Sequence, residues 1–180
     1  MFTGTIACKL AVMRRTACRG LVLSLSLLCA LPVAALEIGQ VAPDFSRPGL
    51  REDSVIALGD FRGKVVYVDF WAAWCEPCRQ SMPALNKVRN SYRERGFEVL
   101  AVNLDMNREW AERFLREHPV DYPVVLDPEG EIPIAYGVEK MPSGFFVDRK
   151  GRVREIHQGF QPSHVARIRY VVETLLKEEP

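Results

Sequence analysis

The run Val65-Val-Tyr-Val-Asp-Phe-Trp71 is apolar almost without a break. A strand with one wet face alternates apolar and polar side chains, so a run apolar at both parities reads as a central strand covered on both faces. Just beyond it, Trp74-Cys75-Glu76-Pro77-Cys78 leads into a segment with Met82, Leu85, Val88 and Tyr92 at helical spacing. That spacing predicts a helix from about Cys75–Cys78 to Arg95, closed by Gly96. A buried strand running straight into a helix restricts the chain to a layered α/β architecture.

The rest of the sequence extends that pattern. Residues 36–63 read as a lead-in with one or two short strands. Phe97–Asn103 reads as a second strand. Asn107–Glu117, with Trp110, Phe114 and Leu115 on one side, reads as an amphipathic helix stopped by His118-Pro119. A brief strand is expected at 123–126, a β-hairpin from Gly144–Asp148 and Val153–His157, and a final helix over about 162–178. That helix would pack Val165, Ile168, Val172, Leu175 and Leu176.

The first 35 residues do not fit a folded domain. They carry Lys9, Arg14, Arg15 and Arg19 but no acid, then an apolar run from Leu21 to Leu31, then small residues at Val33 and Ala35. A basic start, a short apolar core and small residues are the parts of a secretory signal. We expect cleavage after Ala35, giving an exported, periplasmic chain of 36–180 as one domain. The alternative is an uncleaved anchor, although the run is shorter than the ~18–20 apolar residues that cross a bilayer.

Removing the signal changes both charge and cysteine content. Four of the 24 Lys and Arg lie in it, which leaves 20 against 23 acids, a net charge of about −3. That sign argues against nucleic acid or an anionic membrane surface as partner. Cys8, Cys18 and Cys29 leave with the signal, so Cys75 and Cys78 remain as one closely spaced pair and a framework of structural disulfides is excluded.

Two cysteines separated by two residues at a strand-to-helix junction suit reversible disulfide chemistry, because the ring closes within the ~4.4–6.8 Å Cα separation a disulfide tolerates. The helix N-terminus favours a thiolate on the first cysteine. Cys75 would attack a partner disulfide and Cys78 would resolve the mixed disulfide. Pro77 restrains the turn and donates no N–H, which the first helical turn permits. Half of a zinc site is the competing interpretation. It needs about four ligands, and His118, His157 and His164 are scattered singly, so no metal is expected and no cofactor beyond the Cys75–Cys78 couple.

Val68-Asp-Phe-Trp-Ala-Ala-Trp-Cys-Glu-Pro-Cys-Arg79 resembles the active-site segment of thioredoxin. Gly39–Phe45, Gly63-Lys64 and Met141-Pro-Ser-Gly-Phe-Phe-Val-Asp148 are similar to exported thioredoxin-like reductases of the TlpA/ResA type. The resemblance covers roughly 37–175. It implies a thioredoxin fold: a central mixed β-sheet flanked by helices, with N-terminal short strands and a central strand–helix insertion at 97–126. It also implies that the bond before Pro142 is cis, leaving the Met141 backbone to pair with an extended substrate segment. Asp69 would be the buried proton acceptor for the second cysteine, and Trp74 would shield the disulfide. Pro83 would kink the active-site helix, and Trp71 would serve packing. Two positions depart from the type: Ser81 stands where an acid is common, and Asp69 where Asn is common.

Glu76 bears on direction. An anion beside Cys75 opposes its thiolate and makes the reduced state less favoured, which points to a reductant. The resemblance then implies protein disulfides as substrates, including those of cytochrome c maturation or metal-site assembly, and a membrane-embedded thiol donor. A monomer is expected. The alternatives are a disulfide oxidase or isomerase, a thiol peroxidase, for which Ala72 stands in place of the needed threonine, and a non-catalytic chaperone or metallochaperone.

Overall fold

The computed structural model describes residues 36–51 and 54–179, so the segment read as a secretory signal lies outside the described residues. The chain order is β1 (Ser46–Pro48), β2 (Val55–Ala57), β3 (Val65–Trp71), α1 (Cys78–Tyr92), β4 (Phe97–Asn103), α2 (Arg108–Glu117), β5 (Val124–Leu126), α3 (Glu131–Tyr136), β6 (Ser143–Val147), β7 (Val153–Gln158) and α4 (His164–Lys177). The central sheet has the order β5-β4-β3-β6-β7, and β1 and β2 form a separate antiparallel pair. Strands β3, β4 and β5 run parallel, while β6 is antiparallel to β3 and β7 to β6. This is the mixed sheet expected of a thioredoxin fold.

Every residue of β3 is buried, and side-chain alternation divides them between two cores. Val65, Tyr67 and Trp71 pack with residues of α1, α2 and α4. Val66, Val68 and Phe70 pack with Ile132 and Tyr136 of α3 and with Leu36, Ala42 and Phe45 of the lead-in. The strand is apolar at both parities because each parity has its own core to fill.

Several boundaries differ from expectation. The α1 helix begins at Cys78, runs unbroken through Pro83 to Tyr92, and passes through a 3-10 turn at Arg93–Arg95 to Gly96 in the left-handed region. In α2, Ala111, Phe114 and Leu115 face the core, whereas Trp110 is 48% exposed. Asn107 caps that helix by accepting a bond from the Glu109 N–H. The short α3 has no counterpart in the sequence reading. Its Pro133 lies in the first turn, where a missing N–H is tolerated, and Gly130 and Gly137 bound it in the left-handed conformation. Among the described residues no helix is long and apolar enough to cross a membrane.

Candidate active site

The site forms where β3 ends. From Trp71 the chain turns through Ala72–Pro77 into α1, and Cys75 and Cys78 are joined in a disulfide with a Cα separation of 5.3 Å. Cys75 is 4% exposed, at the mouth of a groove, and Cys78 is fully buried beneath it. Pro77 is the N-cap residue of α1, no side chain caps the helix, and its first turn holds no acid. The N-terminal end of the helix therefore presents its positive pole to the cysteine pair without a competing carboxylate in the turn itself.

Strand register brings the second half of the site. Phe70 pairs with Ser143, so the chain entering antiparallel β6 must arrive beside the turn leaving β3. The Met141–Pro142 peptide there is cis. The Gly159 N–H donates to the Pro142 carbonyl at 2.7 Å, and the Ser143 hydroxyl to the Lys140 carbonyl at 2.7 Å, so β7 and the preceding turn both hold this segment. A groove of about 590 Å³ runs between the two halves, lined by Trp74, Cys75, Pro77, Ile134, Val138 and Met141 among others. Trp74 is 66% exposed and forms a wall of this groove.

Asp69 lies on the α1-facing side of β3, two residues from Tyr67 and Trp71, and is fully buried. Neither carboxyl oxygen has a hydrogen-bond partner among the described residues. Burial pushes its pKa well above the ordinary carboxylate range, because an apolar surrounding disfavours the charged form. The same buried face holds Tyr67 and Tyr122, whose phenols are also pushed well up by burial and, secondarily, by the nearby Asp69 carboxylate.

Glu76 is paired with Arg79 at 3.0 Å, both side chains well exposed. The charge that the sequence places beside Cys75 thus has a counter-ion one turn along the helix. Ser81 is buried, with its hydroxyl directed at the Cys78 carbonyl at 3.4 Å. Trp71 packs on Phe114 at a ring separation of 4.9 Å in the core.

Sequence reading missed Asp105. It is 1% exposed, and its Oδ2 accepts from the Ala73 N–H at 2.8 Å and from the Asn103 side-chain amide at 2.7 Å. The Asp105 N–H donates back to Asn103 Oδ1 at 3.1 Å. This knot ties the end of β4 to the turn that carries Trp74 and Cys75. The signal was a polar residue at 103 ending an apolar strand and another at 105 just past it, a pattern that also fits an ordinary loop. Of the histidines read as scattered singly, His157 and His164 in fact meet at 3.1 Å between β7 and α4, while His118 packs against Phe114 with the rings tilted at 46°. Among the described residues no group of three or more His, Cys, Asp or Glu could hold a metal ion.

A thioredoxin fold with a CxxC disulfide at the start of its first sheet-packed helix defines a thiol–disulfide oxidoreductase. The Redoxin profile matches residues 37–172, and the chain belongs to that family. It is 37% identical over 126 residues to the thiol-disulfide oxidoreductase ResA of Bacillus thuringiensis, covering 70% of this chain and 72% of that one. The ResA of Geobacillus thermodenitrificans is likewise 37% identical, over 69% of this chain and 71% of its own. Among solved structures, one described as a thiol:disulfide interchange protein DsbE from Chlorobium tepidum superposes with a TM-score of 0.76. It is 43% identical and covers 79% of this chain and 99% of that chain. The TlpA/ResA-type resemblance and its thioredoxin fold hold, and the chain is an enzyme of thiol–disulfide exchange.

Proposed function

We propose that the chain is an exported, monomeric reductase of disulfides in other exported proteins. The Cys75 thiolate attacks one sulfur of the substrate disulfide, forming a mixed disulfide and releasing the other substrate sulfur as a thiolate. Asp69 accepts the Cys78 thiol proton, Cys78 attacks the Cys75 sulfur, and the second substrate sulfur leaves. Two electrons pass to the substrate and the Cys75–Cys78 disulfide forms. A membrane-embedded thiol donor restores the dithiol, so the cycle needs no cofactor beyond the cysteine pair.

The observation that carries this reading is the asymmetry of the pair: Cys75 lines the groove, and Cys78 is fully buried in the core that also holds Tyr67 and Trp71, the two same-face neighbours of Asp69 along β3. A carboxyl whose pKa burial raises is a stronger base than an ordinary carboxylate, which suits taking and returning a proton. Met141 and Pro142, beside Cys75, would take the backbone of the substrate segment, and Trp74 would wall it in. The basic and apolar segment before Ala35 supports export, and relatives named ResA and DsbE support protein disulfides as substrates.

Direction rests on Glu76. Its pairing with Arg79 weakens its effect on Cys75, but with both groups exposed the pair is screened and the carboxylate stays the nearest fixed charge in sequence to the attacking sulfur. Equilibration of 36–180 against defined dithiothreitol ratios should give a potential near the roughly −270 mV of thioredoxin. A value near the roughly −120 mV of strong oxidants would reverse the assignment. A Cys78→Ser variant should trap substrates as mixed disulfides, and their identities would separate cytochrome c maturation from metal-site assembly.

A further inference from the structure

Of the eight large apolar side chains left exposed among the described residues, Ile38, Val41, Val55 and Tyr170 lie elsewhere, while three of the other four line grooves at the site. Trp74, Met106, Trp110 and Ile134 are 66%, 85%, 48% and 71% exposed. Ile134 and Trp74 line the disulfide groove. Trp74 and Trp110 line a second groove, of about 370 Å³, on the other side of Trp74. Met106 follows Asp105, the residue that ties its loop to Ala73. Exposed apolar area concentrated in one place marks a binding surface rather than ordinary surface composition.

The second groove is built by α2 against the active-site turn. Trp110, Arg113, Phe114 and Glu117 fall at helical spacing on one face of α2, and Ala73, Trp74 and Arg79 complete the lining. Phe114 is buried and forms the floor, while Trp110 stands as a wall. Its charges are Arg79, already paired with Glu76, and Arg113 and Glu117, neither of which makes an ion pair among the described residues. On this face of α2 Arg113 lies one turn from Trp110 and Glu117 two turns, so the unpaired cation stands nearer the indole, and Trp and Arg are both residue types enriched at energetic centres of protein interfaces.

We infer that this second groove is a specificity subsite for the polypeptide substrate, taking an aromatic or large aliphatic side chain with a carboxylate next to it. The groove shares Trp74 with the disulfide groove, so one substrate segment bonded at Cys75 reaches both by passing over that indole. The apolar side chain would lie against Trp110 and Phe114, and the carboxylate would meet Arg113. Small disulfides that fill only the Cys75 groove would gain nothing from it. The inference rests on Cys75 being the attacking sulfur and is independent of the direction of electron flow.

The test uses synthetic peptides whose single cysteine is held in a disulfide with glutathione. A Phe-Asp pair is placed two, three or four residues from that cysteine on either side, with Ala-Ala as the reference. At one of these positions Phe-Asp should raise kcat/KM about tenfold, roughly what one well-placed buried side chain gives. Trp110→Ala and Arg113→Glu should each reduce that preference at least threefold, while exchange with glutathione disulfide keeps the wild-type rate and shows that the variants are folded and active. Equal rates for all peptides, or a preference that survives both substitutions, would overturn the subsite. A concentration-dependent dimer abolished by Trp110→Ala would also overturn it, by assigning the groove to a second copy of this chain. Loss of glutathione exchange in Cys78→Ser but not in Cys75→Ser would refute the role of Cys75, a different failure.

Discussion

At the scale of single residues, Asp69 is the most consequential side chain outside the cysteines. A carboxyl fully buried without partners holds its folded pKa above its unfolded value. A group so raised favours folding below the unfolded pKa and loses that advantage as pH rises, so ionisation of Asp69 works against the fold. Asp69→Asn should therefore raise denaturant midpoints more at pH 8 than at pH 5. The same variant should slow resolution of the mixed disulfide, measured by quenched-flow thiol trapping. Unchanged stability and rate at both pH values would remove Asp69 from the mechanism. Asp105 acts differently, by holding a backbone. Asp105→Ala leaves the Ala73 N–H and the Asn103 amide without their acceptor. It should cost about 1–3 kcal/mol in chemical denaturation, the usual penalty for stranding buried donors.

Between elements, two contacts fix how helix and strands meet beneath the site. Arg89 on α1 makes a bidentate bond to Glu98 on β4 at 2.8 and 2.9 Å, with both side chains largely buried. Arg89→Leu strands Glu98 and should destabilise by about 3 kcal/mol, and a second change of Glu98→Leu should recover much of that loss. Denaturant titration of the single and double variants reads this directly. Gly144 in β6 sits opposite Asp69, and a Cβ there would lie 1.9 Å from the Tyr67 hydroxyl. Gly144→Ala should cost about 1–3 kcal/mol through overpacking, and a Tyr67→Leu partner change should relieve it. Both contacts were invisible in the sequence, because 89 and 98, or 67 and 144, become neighbours only through register.

For the molecule as a whole, one pH-sensitive contact joins the hairpin to the last helix. His157 on β7 and His164 on α4 lie within 3.1 Å, and His164 Nδ1 also accepts from the Gln161 N–H at 3.2 Å. Burial, followed by the charge His164 would carry, lowers the His157 pKa, with Glu155 and the Gly159 backbone opposing. A depressed folded pKa means that this contribution is present above the unfolded value near 6.5 and lost as pH falls below it. The His157 contribution opposes that of Asp69 over this range, so denaturant titration should show the stability of His157→Gln relative to the native chain shifting in the variant's favour between pH 7.5 and pH 5.

Much of this molecule was legible in its sequence wherever the physics is local. An apolar run at both parities must be covered twice, so Val65–Trp71 announced a central strand and a layered α/β fold. A CxxC at a strand-to-helix junction announced disulfide chemistry, and helical spacing located α1 and α4 to within a few residues. Tertiary structure alone decided what depends on residues far apart in the chain. Antiparallel entry of β6 beside the end of β3 brings Met141 to the groove that Cys75 lines, and the β4 turn carries Asp105 to Ala73. The packing of α2 turns Trp110 outward rather than into the core. Those outcomes follow from register and packing, which minimise the free energy of the whole chain and are encoded in no single stretch of it.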